Sequence, residues 1–188
     1  MNIFFLSPEV KQCARYHCDK HVVKMILEYT QLLSTAHHTS DCEYSNSIKS
    51  LIVRPTHHNH PCAVWVRAST GNYYWLYKLL VELHEEYTTR YGKVHALHTM
   101  LEALSIAPAN SKIYFTTPAL AMPTTISKIV STIIAPHVSV DTFMHVILCY
   151  RLYYLVYKKA ILQYKAPSSI PPFINSKSIL QGLHHHGI

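Results

Sequence analysis

Glycine is nearly absent from this chain. Four glycines in 188 residues, Gly71, Gly92, Gly182 and Gly187, are too scattered to form a phosphate-cradling GxGxxG or GxxxxGK[ST] loop. Nucleotide binding through such loops is excluded. Acid is scarce as well: ten carboxylates must supply any carboxylate chemistry, namely Glu9, Asp19, Glu28, Asp41, Glu43, Glu82, Glu85, Glu86, Glu102 and Asp141. Five cysteines, Cys13, Cys18, Cys42, Cys62 and Cys149, contain no CxxC pair, which argues against a disulfide scaffold and for reduced thiols inside a cell. Long apolar runs are missing too. The most apolar stretch, 129 to 150, is interrupted by Pro136, His137, Asp141 and His145, so no membrane span is expected. Met1 to Leu6 has no basic start and meets Ser7-Pro8 at once, so no secretory signal is expected either.

What the chain has instead is a hydrophobic content of 49% with only 14% charged residues, where about 25% is usual. Disorder is therefore excluded. Surface polarity falls to 15 His and 14 Tyr, residues with an apolar body and a polar tip. A net charge of +7, rising further as histidines protonate, favours an anionic partner with nucleic acid foremost.

Periodicity predicts an all-α protein: a single-domain bundle of about five helices with two long irregular segments. Residues 2–6 read as a short strand or extended arm. Ser7-Pro8-Glu9 opens a helix, and Ala14, Cys18, Val22, Met25, Tyr29, Leu32 and Ala36 carry it as one stripe to about residue 37. Residues 39–60 read as a long loop. Pro61 opens a helix to Tyr91, divisible at Ser69 to Gly71, with Gly92 as its stop. A further helix is expected over 93–105 and a short one over 126–135. A last one starts at Ser139 and runs to about Tyr164. That last helix is apolar all round, which fits either a central helix or one that serves two interfaces, the second being a homodimer through 140–165. The domain is expected to span 1–165, with an irregular tail from 166 to 188.

Three clusters carry possible chemistry. On the first helix His17, Lys24 and Glu28 flank the stripe with His21 near its centre, while Asp19 and Lys20 sit on other sides. A solvated flank is the plain alternative. The second cluster runs from Arg54 through His57, His58 and His60 to Cys62, Trp65 and Arg67. Its imidazoles suit a phosphate or a metal, yet no HExxH or PCxxC spacing is present, so no metal site is assigned. The third comprises Asn72-Tyr73-Tyr74-Trp75 and Glu86 to His95, where aromatics alternate with Arg90, Lys93 and His95 as in base-stacking surfaces.

A resemblance enters through these segments. Met1 to Phe4, YHCDKHVVKMILE at 16–28, Gln31 to Ala36, PTHHNHPC at 55–62 with Trp65 and Arg67, Asn72-Tyr73 with Trp75-Leu76, and Glu86-Tyr87 with RYGKVH at 90–95 resemble one family. Its members are small proteins of tailed phages and large DNA viruses, some described as similar to pyrimidine-dimer DNA glycosylases. The likeness is close over about 1–98. It implies a viral DNA repair or base-modification enzyme, intracellular in host cytoplasm or nucleus, acting on an extruded base. The phage dimer glycosylase uses an N-terminal amine on a small residue, whereas here Asn2 follows Met1 and leaves methionine in place. Its catalytic roles are therefore not carried over.

In the glycosylase mechanism that the resemblance implies, an amine or activated water attacks C1′, with Lys24 or Lys20 as the candidate amine and Glu28 or Asp19 as the candidate carboxylate. His17, His21, Arg54, His57, His60, Arg67, Asn72, Arg90, Lys93 and His95 would hold nucleic acid. Of these, His17, Lys24, Glu28, His57, His60 and Arg90 are expected to line one basic pocket. No cofactor is expected. Two other readings stay open: a metal-dependent hydrolase on the His-rich loop, and a non-enzymatic virion or interaction protein.

Overall fold

A computed structural model describes residues 1–109 and 112–175. Among these residues there are seven α-helices and no strand: α1 Val10–Tyr16, α2 Asp19–His38, α3 Glu43–Ile48, α4 Pro61–Ala68, α5 Thr70–Tyr91, α6 Thr124–Ile129 and α7 Phe143–Tyr157. The all-α expectation holds, with short 3₁₀ turns at Ala96–Met100, Lys159–Ile161 and Pro172–Asn175.

The helix expected over 10–37 is two. His17 adopts an extended backbone, and the next helix starts at Asp19, whose amide donates to the Gln163 carbonyl at 2.8 Å. The cause is the His17 ring, which is fully buried. Its Nδ1 meets the Cys13 carbonyl at 2.8 Å and its Nε2 meets the Tyr29 hydroxyl at 2.9 Å, contacts that an unbroken helix would not bring together. By contrast the corner between α4 and α5 falls where Ser69 to Gly71 suggested. Ser69 is extended, and its hydroxyl accepts from the Asn72 amide at 3.1 Å and donates to the Tyr114 carbonyl at 2.6 Å. Gly71 is needed there because a Cβ would overlap the Tyr114 carbonyl. Gly92 ends α5 in the left-handed region at φ 63°, the role its position predicted.

Two further segments differ. The loop 39–60 contains α3, which buries Ser45 and Ile48. The helix expected over 93–105 is only the 3₁₀ turn, because the carbonyls of Ala103 and Leu104 accept from the hydroxyls of Tyr44 at 2.9 Å and Tyr73 at 2.8 Å. α7 starts at Phe143 rather than after Ser139, with the Thr142 hydroxyl accepting from the His145 amide, and ends at Tyr157.

The N-terminal segment is extended and buried at the centre. Ile3, Phe5 and Leu6 are fully enclosed, and Phe4 packs against His21 of α2 and Tyr150 and Tyr154 of α7. Most apolar positions of α7 are covered within one chain, Met144, Val156 and Tyr157 being exposed. Val146, Ile147, Tyr150 and Tyr154 join the main core, while Cys149, Leu152 and Leu155 pack with Ile126 and Val130. Most of its apolar surface is therefore buried within the one chain, as the central-helix reading expects. Residues 166–175 are not loose: Phe173 is in the core and the Ser168 hydroxyl meets the Glu86 carboxylate. The rest of the expected tail, 176–188 with His184 to His186, lies outside the described residues.

Candidate active site

Positions 21, 24 and 28 recur at three and four on α2, so His21, Lys24 and Glu28 share one helical face. The N-terminal segment lies across that face. It brings the Met1 amino group to 3.9 Å from Glu28 Oε2, while Lys24 Nζ lies 3.3 Å from Oε1. Asn2 fixes this placement: its Nδ2 donates to the Ala121 carbonyl at 2.9 Å and its Oδ1 accepts from the Tyr150 hydroxyl at 2.8 Å. Around these groups lies a pocket of about 470 Å³ of open space, lined also by Phe4, Met25, Tyr153 and Lys158.

The pocket is polar and weighted toward positive charge, with the Met1 amine, Lys24 and Lys158 set against the single carboxylate of Glu28. His21 is neutral in this setting. Burial pushes it down to about 3, helped by the charges of His17, Lys158 and Lys24, and its Nδ1 lies 2.6 Å from the Tyr154 hydroxyl. His60 sits at the edge of the same field. It is held below its ordinary value by burial first, then by the N-terminal amine and His57, against the pull of Glu28. Its Nδ1 also accepts from the Cys62 amide as the cap of α4.

The other sequence candidates lie apart. His17 is fully buried and bonded at both ring nitrogens, which corrects its assignment to a basic pocket. Arg90 is likewise enclosed. Its guanidinium bonds Glu86 at 2.7 Å, Asp19 at 2.8 Å, Ser168 at 3.2 Å and the Arg15 carbonyl at 3.0 Å, leaving it committed to the protein rather than to phosphate. Asp19 is bound in that network, which also takes the Lys165 amide at 3.0 Å, so it is not placed to assist an amine at Met1 or Lys24.

Asn72 is buried with its amide spent on the Trp65 carbonyl and Thr116, tying α5 to the segment before residue 117. Arg67 lines a different pocket with Ser69 and Tyr73. Lys20, Arg54, His57 and Lys93 are exposed, and His95 is half-buried as the cap of the 3₁₀ turn, against His84 and Tyr87. Among the described residues no group of three or more His, Cys, Asp or Glu is arranged to hold a metal ion, and no helix is long and apolar enough to cross a membrane.

The residues missed from the sequence are the Met1 amine, Lys158 and Tyr153. Tyr153 comes from α7 and Lys158 from the residue that caps it, far along the chain from α2, and only the reading of 2–6 as an extended arm hinted that the chain start was anchored.

No curated protein and no solved structure matched the chain. A family model described as pyrimidine dimer DNA glycosylase matches residues 1–100, the part that carries the Met1 amine, α1 to α5 and all of α2's pocket face. More than half of the chain lies within that match, and the protein belongs to the pyrimidine dimer DNA glycosylase family.

Proposed function

We propose that the protein is a DNA glycosylase that attacks the sugar of a damaged pyrimidine nucleotide with the α-amine of Met1, assisted by Glu28. The observation that carries this reading is the Met1 amine 3.9 Å from Glu28 in a pocket flanked by Lys24 and Lys158. Two amines compete for the role, and chemistry separates them. An α-amine as a chemical class is a weaker base than a lysine amine and offers its lone pair more readily at neutral pH. Lys24 is also 69% exposed, whereas the Met1 side chain is 3% exposed and seated.

In the proposed step the neutral amine nitrogen bonds C1′ while the C1′–N bond to the base breaks, its electron pair leaving with the base. Glu28 faces the cationic charge that develops at C1′ and takes the proton released by the attacking nitrogen. The C1′–O4′ bond then breaks, O4′ takes back the proton held by Glu28, and the nitrogen lone pair closes an imine between Met1 and the sugar. Lys24 and Lys158 hold flanking phosphates, and Lys20, Arg54, His57 and Lys93 extend the exposed positive surface.

Borohydride reduction tests this directly. Incubation with dimer-containing duplex DNA and borohydride is expected to give one covalent protein–DNA adduct, mapped by mass spectrometry to the Met1 peptide. N-terminal acetylation should abolish it, and Lys24→Ala should retain it. An adduct on Lys24, or an undiminished adduct after acetylation, would overturn the assignment.

A further inference from the structure

The pocket does not end at its own wall. His21 stacks on Phe4 with ring centroids 4.3 Å apart and planes at 20°, Phe4 and Tyr153 are nearly parallel at 18°, and Tyr153 and Tyr157 stack at 5.2 Å and 28°. Four roughly parallel rings thus lead from His21 on α2 to the exposed Tyr157, and three of them, His21, Phe4 and Tyr153, line the pocket that holds the Met1 amine. The last ring is 51% exposed, although the buried positions of α7 lie on its other sides. Beside it Lys158 Nζ sits 5.1 Å from the Tyr153 ring centre while also lining the pocket.

We propose that Tyr157, backed by Tyr153 and flanked by Lys158, is a stacking platform for the base that flanks the dimer on the same strand. The inference rests on the reading above and adds the substrate's shape: a strand with a second base withdrawn from the duplex stack. The geometry supports this in two ways. Tyr157 stands one ring step, 5.2 Å, from the pocket wall, a spacing that successive nucleotides can span. Its ring is held parallel to Tyr153, so a base adds to an ordered stack at little cost in side-chain freedom, and the cation beside it suits the connecting phosphate. These residues lie beyond the 1–100 match, so the platform belongs to this chain's own C-terminal half.

Fluorescence anisotropy of the full chain tests the platform with three probes. All are duplexes carrying one pyrimidine dimer; the first is otherwise intact, the second has the base 3′ to the dimer replaced by a tetrahydrofuran abasic analogue, and the third has the base 5′ to it replaced in the same way. Tyr157→Ala is expected to weaken binding to the intact probe by about fivefold to a hundredfold, the range of one base–aromatic stack. Tyr157→Phe should bind as the parent does. On one of the abasic probes parent and Tyr157→Ala should converge, and this comparison needs only the parent protein to show weakened binding. Unchanged binding by Tyr157→Ala, equal losses on all probes, or no DNA binding by the parent would each overturn the platform. Binding is read without chemistry, so a parent that binds but yields no borohydride adduct overturns the catalytic reading and leaves the platform standing.

Discussion

Glu28 works at the scale of one side chain. It is 14% exposed and faces two cationic nitrogens, so its removal changes chemistry more than architecture. Glu28→Gln is expected to lower the rate of adduct formation by about a hundredfold or more, the ordinary share of a positioned acid–base group, with DNA affinity equal to or tighter than that of the parent because a negative charge has left a phosphate-facing pocket. Single-turnover trapping and anisotropy on the same preparation separate the two quantities. Lys24→Ala should cost only a few tenths of a kcal/mol in stability, since its pair with Glu28 is an exposed i,i+4 contact.

Glu28 and Lys24 were legible from helical spacing because their neighbours on α2 decide where they point. Arg90 and Asn72 were not. Each looks like a surface polar residue beside aromatics, and only the chain returning from residues 116 and 168 shows that they face inward.

At the scale of elements, polar side chains set the breaks and joins. Arg90 links α5 to Asp19 at the start of α2, to the Arg15 carbonyl of α1 and to Ser168 beyond α7. Arg90→Ala would strand two carboxylates against buried surface, and a loss of about 3–5 kcal/mol is expected from urea unfolding midpoints. The α4–α5 corner makes a second element-scale prediction. Gly71→Ala should destabilise by about 1–3 kcal/mol, since the new methyl must displace the Tyr114 backbone rather than a flexible side chain.

The sequence announced this corner and the stop at Gly92 because Ser and Gly act locally. It did not announce the break after Tyr16. The apolar stripe runs on through Cys18 and Val22 without a fault, and the break comes from a buried imidazole bonding a tyrosine twelve residues on.

At the scale of the whole molecule the histidines give the protein an acid limit. Burial pushes His17, His37 and His84 down to about 4 and His21 to about 3 from an ordinary 6.5. The unfolded chain therefore binds protons at these rings from about pH 6.5 downward, the folded chain only near pH 3 to 4. Stability is whole above 6.5 and falls as pH drops through that window, by up to roughly 3 kcal/mol for a ring as enclosed as His17. Thermal melts between pH 7.5 and 4.5 should show a monotonic decline, with His17→Phe flattening its slope. The count of histidines hinted at pH dependence through added surface charge; burial converts part of it into a folding term of opposite consequence for activity in acid.

Asn2 joins Ala121 and Tyr150 across 119 and 148 residues of chain. Tyr150→Phe should therefore slow adduct formation while leaving the pocket lysines intact, because the amine loses its anchor. During synthesis the earliest residues wait for nearly the last helix before they are seated. A chain that ends before α7 lacks the Tyr150 partner of Asn2, and if the amine acts as proposed, such a truncated chain is expected to give no borohydride adduct.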